Sequence, residues 1–88
     1  MAPEQQPLID RHIERRPGQG FADARLKDYG VDVRALVMYY REAADGDPDV
    51  VASAYCLPRE AIDAALVYYA QHRDVIDARI LLNRDSAA

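Results

Sequence analysis

The sequence predicts a small all-α domain built on a helix-turn-helix. Three observations lead there. Residues 50–66, VVASAYCLPREAIDAAL, place Ala52, Cys56 and Ile62 at the small, turn and buried-branched positions of such a unit. The preceding VRALVMYYREAA carries Val33, Leu36, Val37, Tyr40 and Ala44 at helical spacing. Strand-like alternation is weak, with only Phe21, Ala24 and Leu26 suggesting it. The expected architecture is a three- to four-helix domain with at most one short extended segment and a long C-terminal helix.

At 88 residues the chain fits one domain. A chain of this size buries only about 60% of the surface its unfolded form exposes, so its core is modest. The formal net charge is −4, unevenly spread. Residues 1–41 hold seven basic against six acidic side chains, whereas residues 42–88 hold four against nine. DNA affinity rests largely on Lys and Arg neutralising phosphates, so this balance argues against a strong autonomous DNA binder. Cys56 is the one cysteine, which rules out an intrachain disulfide and fits a reducing compartment. No apolar run approaches the roughly 18–20 residues needed to span a membrane. The opening MAPEQQPLIDRHIERR lacks the order of a secretory signal. The cytoplasm is the expected location.

Residues 1–20 read as an N-terminal arm and residues 21–88 as the helix-turn-helix domain with a helical extension. In the arm, Pro7 opens a possible short helix, PLIDRHIERR, with Leu8, Ile9 and Ile13 on its apolar side. PGQG is a turn. FADARLKDYG reads as a short extended segment ending in a turn at Gly30. Asp32 is placed to cap the next helix, and Gly46 to end it at positive φ. Asp47 caps a short helix with Pro48 at its first position, running to about Tyr55. Pro58 opens a last helix that the periodicity carries to about Asn83, with Ile62, Ala65, Leu66, Tyr69, Ile76 and Ile80 as its inner stripe. That is nearly 40 Å at about 1.5 Å per residue, more than a domain of this size covers, so its far end should project or dock.

In the helix-turn-helix, Val51, Tyr55, Leu57 and Ala65 supply further apolar positions. Cys56 stands where Gly is usual, so the turn must carry a Cβ, and the thiol is expected to be buried there. The second helix would present Pro58, Arg59, Glu60, Asp63, Ala64 and Val67 outward. Arg59 can pair with guanine and Glu60 with cytosine. No basic cluster flanks them to hold phosphates, so DNA contact would need a dimer, or Arg15, Arg16, Arg25, Lys27 and Arg34 gathered from elsewhere in the fold. The DNA-binding candidates are therefore Arg59, Glu60, Asp63, Arg25, Lys27 and Arg34.

VRALVMYY, DPDVVASAYCLPREAIDAALVYYAQH and VIDARI together resemble domain-of-unknown-function family 433, small proteins similar to VapB-type antitoxins. Leu57, Pro58, Glu60, Ala61, Ile62, Ala64, Ala65, Leu66, Tyr68 and His72 carry the match, and Arg25–Leu26 stands where the family's strand has Arg-Ile. The likeness spans residues 24–80. The chain departs from the pattern at Asp23 and Ala24, in place of Gly-Thr, and at Pro58, in place of a Thr or Ser cap. The resemblance implies a homeodomain-like or winged-helix-like fold. It also implies an antitoxin that pairs with a PIN-like ribonuclease toxin and neutralises it with its C-terminal segment; promoter DNA is a further candidate partner, through the helix-turn-helix. On that scheme Ile76, Ile80, Leu81 and Leu82 lie on the toxin, Arg79 or Arg84 meets its metal-binding carboxylates, and Tyr68 and His72 complete the partner-binding set.

No catalytic constellation is present, and the chain is not read as an enzyme. His12, His72 and Cys56 lack metal-ligand spacing, so neither metal nor cofactor is expected. In Tyr39–Tyr40 and Tyr68–Tyr69 one ring of each pair should point away from the inner stripe, since neighbours lie about 100° apart, and such rings suit a homodimer interface. The competing function is a homodimeric helical interaction module with no DNA role.

Overall fold

The computed structural model describes residues 5–15 and 17–87, with side-chain surroundings for residues 6–15 and 17–82. The chain order is α1 (Gln5–His12), β1 (Ile13–Glu14), a 3-10 turn (Phe21–Asp23), β2 (Arg25–Leu26), α2 (Val33–Glu42), α3 (Pro48–Tyr55), α4 (Arg59–Gln71) and α5 (Arg73–Ala87). The mostly helical class expected from the sequence is what forms. In detail there are five α-helices among the described residues, and two extended segments where one was expected.

The arm and the segment after it fold together. Its helix stops at His12 because Ile13 and Glu14 pair antiparallel with Leu26 and Arg25. The pairing buries Ile13 and Leu26 side by side. Leu26 accepts from the Gly30 amide at 3.0 Å, closing the turn that Gly30 makes at φ 67°. Ala24 and Leu26 keep the alternation read from the sequence, whereas Phe21 lies exposed.

In the helix-turn-helix, α3 has the expected boundaries and α4 starts where expected, after Pro58. Asp47 caps α3 by accepting from the Asp49 amide at 2.9 Å, with Pro48 opening the helix. Its far end is a Schellman closure. The Leu57 amide donates to the Ala52 carbonyl at 2.9 Å and the Cys56 amide to Ser53 at 3.3 Å. Cys56 therefore sits in the left-handed region at φ 55°. Its thiol is exposed, not buried as expected, because a left-handed residue turns its Cβ outward while Leu57 enters the core. Strain at a non-glycine left-handed residue costs about 1–2 kcal/mol, and glycine's extra chain entropy offsets about 0.5–1 kcal/mol. Cys56→Gly should therefore raise stability by up to about 1 kcal/mol, seen as a higher urea midpoint at unchanged slope. A lower midpoint would contradict this reading of the turn.

Asp32 occupies the N-cap position of α2, but its carboxylate makes no cap hydrogen bond; it faces Arg34 instead, at 3.4 Å. At the other end of α2, Asp45 and Gly46 both adopt positive φ, so the left-handed turn begins one residue before the glycine.

The long last helix is the main departure. It breaks at His72, whose φ of −126° and ψ of 32° leave the helical region, and α5 folds back onto the 3-10 turn, α2 and α4. No Gly or Pro lies at the break. Tertiary contacts hold it. The fold back buries Ile76 and Ile80 in the same core as Leu26, Leu36, Val37, Val51 and Ile62. Along the other side of α4 lies α1. Its cover explains why Ala64 and Tyr68, which the sequence placed outward, are buried.

Candidate functional site

The outward start of α4 is occupied by ion pairs within the chain. Arg59 donates from Nε to Asp63 at 2.8 Å and from a terminal nitrogen to Asp49 at 2.6 Å. These bonds raise its proton affinity further. Glu60 accepts from Arg11 at 2.8 Å and lies 2.9 Å from His12 Nε2, both on α1. The His12 hydrogen bond is the main reason its carboxyl sits below the ordinary value of 4.5. Exposed pairs of this kind add little stability. They do remove the one guanidinium of α4 from free display to a base.

The other DNA-binding candidates are also engaged. Arg25 holds Glu14 at 2.9 Å, Lys27 donates to the Asp10 carbonyl, and Arg34 faces Asp23 at 3.5 Å as well as Asp32. They lie on β2, its turn and the start of α2, and each has a carboxylate or carbonyl partner before any phosphate arrives.

A second surface is built where the chain crosses itself at residues 20–22 and α5. The Tyr68 hydroxyl donates to the Phe21 carbonyl at 2.8 Å and so fixes the 3-10 turn. The Phe21 ring then stacks on His72, with centroids 4.3 Å apart and planes 13° apart. The Arg15 guanidinium also lies over the Phe21 ring, 4.1 Å from its centroid. Tyr68 also touches His72, at 4.5 Å between centroids. This cluster is what stops α4 at His72. Burial, and then the Arg15 charge, lower the proton affinity of His72 below its ordinary value of 6.5.

The sign of the resulting pH dependence follows. The unfolded chain binds the His72 proton more readily than the folded one. The stabilising contribution is therefore present above pH 6.5 and is lost as pH falls from there through the lower value of the folded state. His72→Gln should flatten the fall in urea midpoint between about pH 7 and 5. An unchanged slope in that variant would assign the dependence to another group.

Beside the cluster runs an open apolar groove of about 420 Å³, lined by Gly20, Phe21, Ala22, Val75, Ala78, Arg79 and Leu82. Val75, Ala78 and Leu82 recur at helical spacing on the side of α5 away from the core. Phe21 is 43% exposed, Val75 46%, Leu81 62% and Leu82 60%. A helix that is apolar on two sides is ordinarily covered on both. Two polar anchors hold α5 in place. Asp23 accepts from Arg79 at 2.5 Å. Asp77 accepts from Tyr69 at 2.6 Å and Arg41 at 3.1 Å. Burial, then the bond to Asp77, raise the Tyr69 hydroxyl above its usual range.

The partner-binding candidates are thus divided. Leu81 and Leu82 are displayed. Ile76, Ile80 and Tyr68 belong to the chain's own core, which corrects the expectation that they lie on a partner. Arg79 is bound to Asp23, and His72 is stacked within the cluster. The Arg84 side chain lies outside the described residues. Phe21 was read only as part of a weak strand-like alternation, and Val75 and Ala78 were given no role in the sequence. The spacing 75, 78, 82 was legible there, but a single helix with one inner stripe gave it no role.

No family model, curated protein or solved structure matches the chain. The likeness to family 433 therefore rests on the residues quoted for it. Among the described residues, no three His, Cys, Asp or Glu side chains converge on a metal-sized site.

Proposed function

We propose that this protein is a small interaction module that binds a protein partner through the outer face of α5. The observation that carries this reading is the groove between Phe21 and α5, with Val75 and Leu82 left in water beside it. Burying a Val, Leu or Phe side chain is worth about 1.5–3 kcal/mol, so a few such residues give a useful contact. Arg15, over the Phe21 ring, offers charge to carboxylates on the partner, whereas Arg73 faces Asp77 of its own helix at 3.6 Å. Of the forms such a module can take, an antitoxin acting on a PIN-like ribonuclease is the one the sequence resemblance suggests. The exposed Leu81 and Leu82 are compatible with that form.

The test is co-expression with PIN-like nucleases, beginning with any encoded beside the gene. The chain should restore growth of a host poisoned by the nuclease, and the two should co-purify. Replacing Val75 and Leu82 together by Glu should lower affinity by about 30-fold or more, the scale of interface hot spots, while the thermal midpoint stays unchanged. Full rescue by that variant would refute the surface assigned here.

A role of α4 in DNA reading is not part of the proposal. Arg59 is clamped between two carboxylates, so the cluster it belongs to is net negative. The free protein should bind its own promoter no more tightly than about 100 μM at physiological salt, the weak end of non-specific binding. A tight, salt-dependent complex that Arg59→Ala abolishes would restore the DNA reading.

A further inference from the structure

The junction between α4 and α5 is one residue long and nothing in its local sequence requires it. Residues 59–87 contain neither Gly nor Pro. At the break the His72 amide is shared between the Tyr68 and Tyr69 carbonyls at 3.1 Å, and helical bonding resumes from the Ile76 amide to the His72 carbonyl at 3.1 Å. In a continuous helix the amides of residues 73–75 would be served by the carbonyls of residues 69–71. The bend thus holds against the backbone's own preference. It is held by the stack of His72 on Phe21 and by the anchors of α5 at Asp23 and Asp77.

We infer that α5 is an exchangeable element, and that two copies of this chain swap it by straightening α4 and α5 into one helix across His72. A helix from Arg59 to Ala87 is about 43 Å long. The folded domain measures 38 Å along its greatest extent. Once straight, α5 cannot reach its seat against the 3-10 turn and α2, and Ile76 and Ile80 lose their cover. The occupant that fits the vacated seat is the α5 of a second copy, because it brings the same side chains to the same places. Arg79 then meets the partner copy's Asp23, and Asp77 the partner copy's Arg41. Only the hinge changes, which is the economy that makes element exchange a common route to dimers. The closed form is favoured at low concentration, since a short connection acts like a millimolar local concentration of α5. The exchanged dimer gains as protein concentration approaches that range. This inference stands apart from the partner-binding proposal, because the outer face of α5 is displayed in either form.

Two experiments test it on the full chain. His72→Ala and His72→Gly both delete the ring, but only alanine favours a continuous helix. Each dimer straightens two hinges, so the alanine variant should dimerise roughly 15- to 30-fold more tightly than the glycine variant, the square of the per-residue preference. Sedimentation equilibrium up to about 1 mM, the local concentration to be matched, reads this ratio. The second experiment mixes Arg41→Asp with Asp77→Arg. Each variant alone sets like charges together in its closed form. In an exchanged heterodimer both contacts become opposite in sign, so the mixture should form a one-to-one dimer that neither variant forms alone. Light scattering after co-refolding reads it, even if either variant is poorly folded by itself. Equal dimerisation of the two His72 variants, or a mixture that stays without heterodimer, would overturn the inference.

Discussion

Ile62→Ala should remove about 2–5 kcal/mol of stability, the range for truncating a buried branched side chain. A domain of this length has only about 4–13 kcal/mol in total, at 0.05–0.15 kcal/mol per residue. The loss is therefore a large share of the fold. Ile62 is 1% exposed and lies in one continuous cluster with Leu36, Val37 and Val51, so the helices around it have little freedom to close the gap. Ile62→Val, which removes one methylene, should cost about 0.5–1.5 kcal/mol. Urea unfolding at a shared slope measures both. A cost below about 0.5 kcal/mol for the alanine variant, under the least expected of the valine change, would show that Ile62 is not the centre of the core.

The helix-turn-helix was legible because its determinants are local. Asp47 and Pro48 start α3 within one turn, and Cys56 ends it with a closure read from Ala52 to Leu57. Ile62 enters the core where the register put it. The end of α4 was not legible, for the opposite reason. Helical periodicity continues past His72, and what interrupts it comes from 47 residues away, through the Tyr68 hydroxyl on the Phe21 carbonyl. Tyr68 itself looked outward because the sequence does not reveal that α1 lies along α4. The partner-binding set was misplaced in the same way. Once α5 folds back, the Ile76–Ile80 side turns inward, and Val75, Ala78 and Leu82 take the outer side. The DNA-binding set was judged on charge type, whereas its use depends on neighbours such as Asp49 and Arg11 that only the fold supplies.

Asp23 is the second position where one change should have a large effect. In the sequence it is a polar residue in a weakly patterned segment. In the fold one of its carboxylate oxygens joins three elements, being on the 3-10 turn and accepting from Arg79 of α5 at 2.5 Å and Arg34 of α2 at 3.5 Å. The carboxylate is 23% exposed, and the two guanidiniums 36% and 21%. Hydrogen bonds to charged groups contribute about 1.5–3 kcal/mol each, and partial exposure discounts that range. Asp23→Ala should cost about 1–3 kcal/mol, and Asp23→Asn less, because the amide oxygen still accepts. The loss should not be uniform. Hydrogen exchange should quicken in α5 well before α3, since α5 is held by two buried isoleucines and two polar anchors whereas α3 is closed into its turn by the backbone. Equal changes in α3 and α5 would mean that the domain opens as one unit. A selective change would show that the helix carrying the exposed apolar face is also the element most easily released. The same loosening serves both a partner that docks on α5 and a second copy that exchanges it.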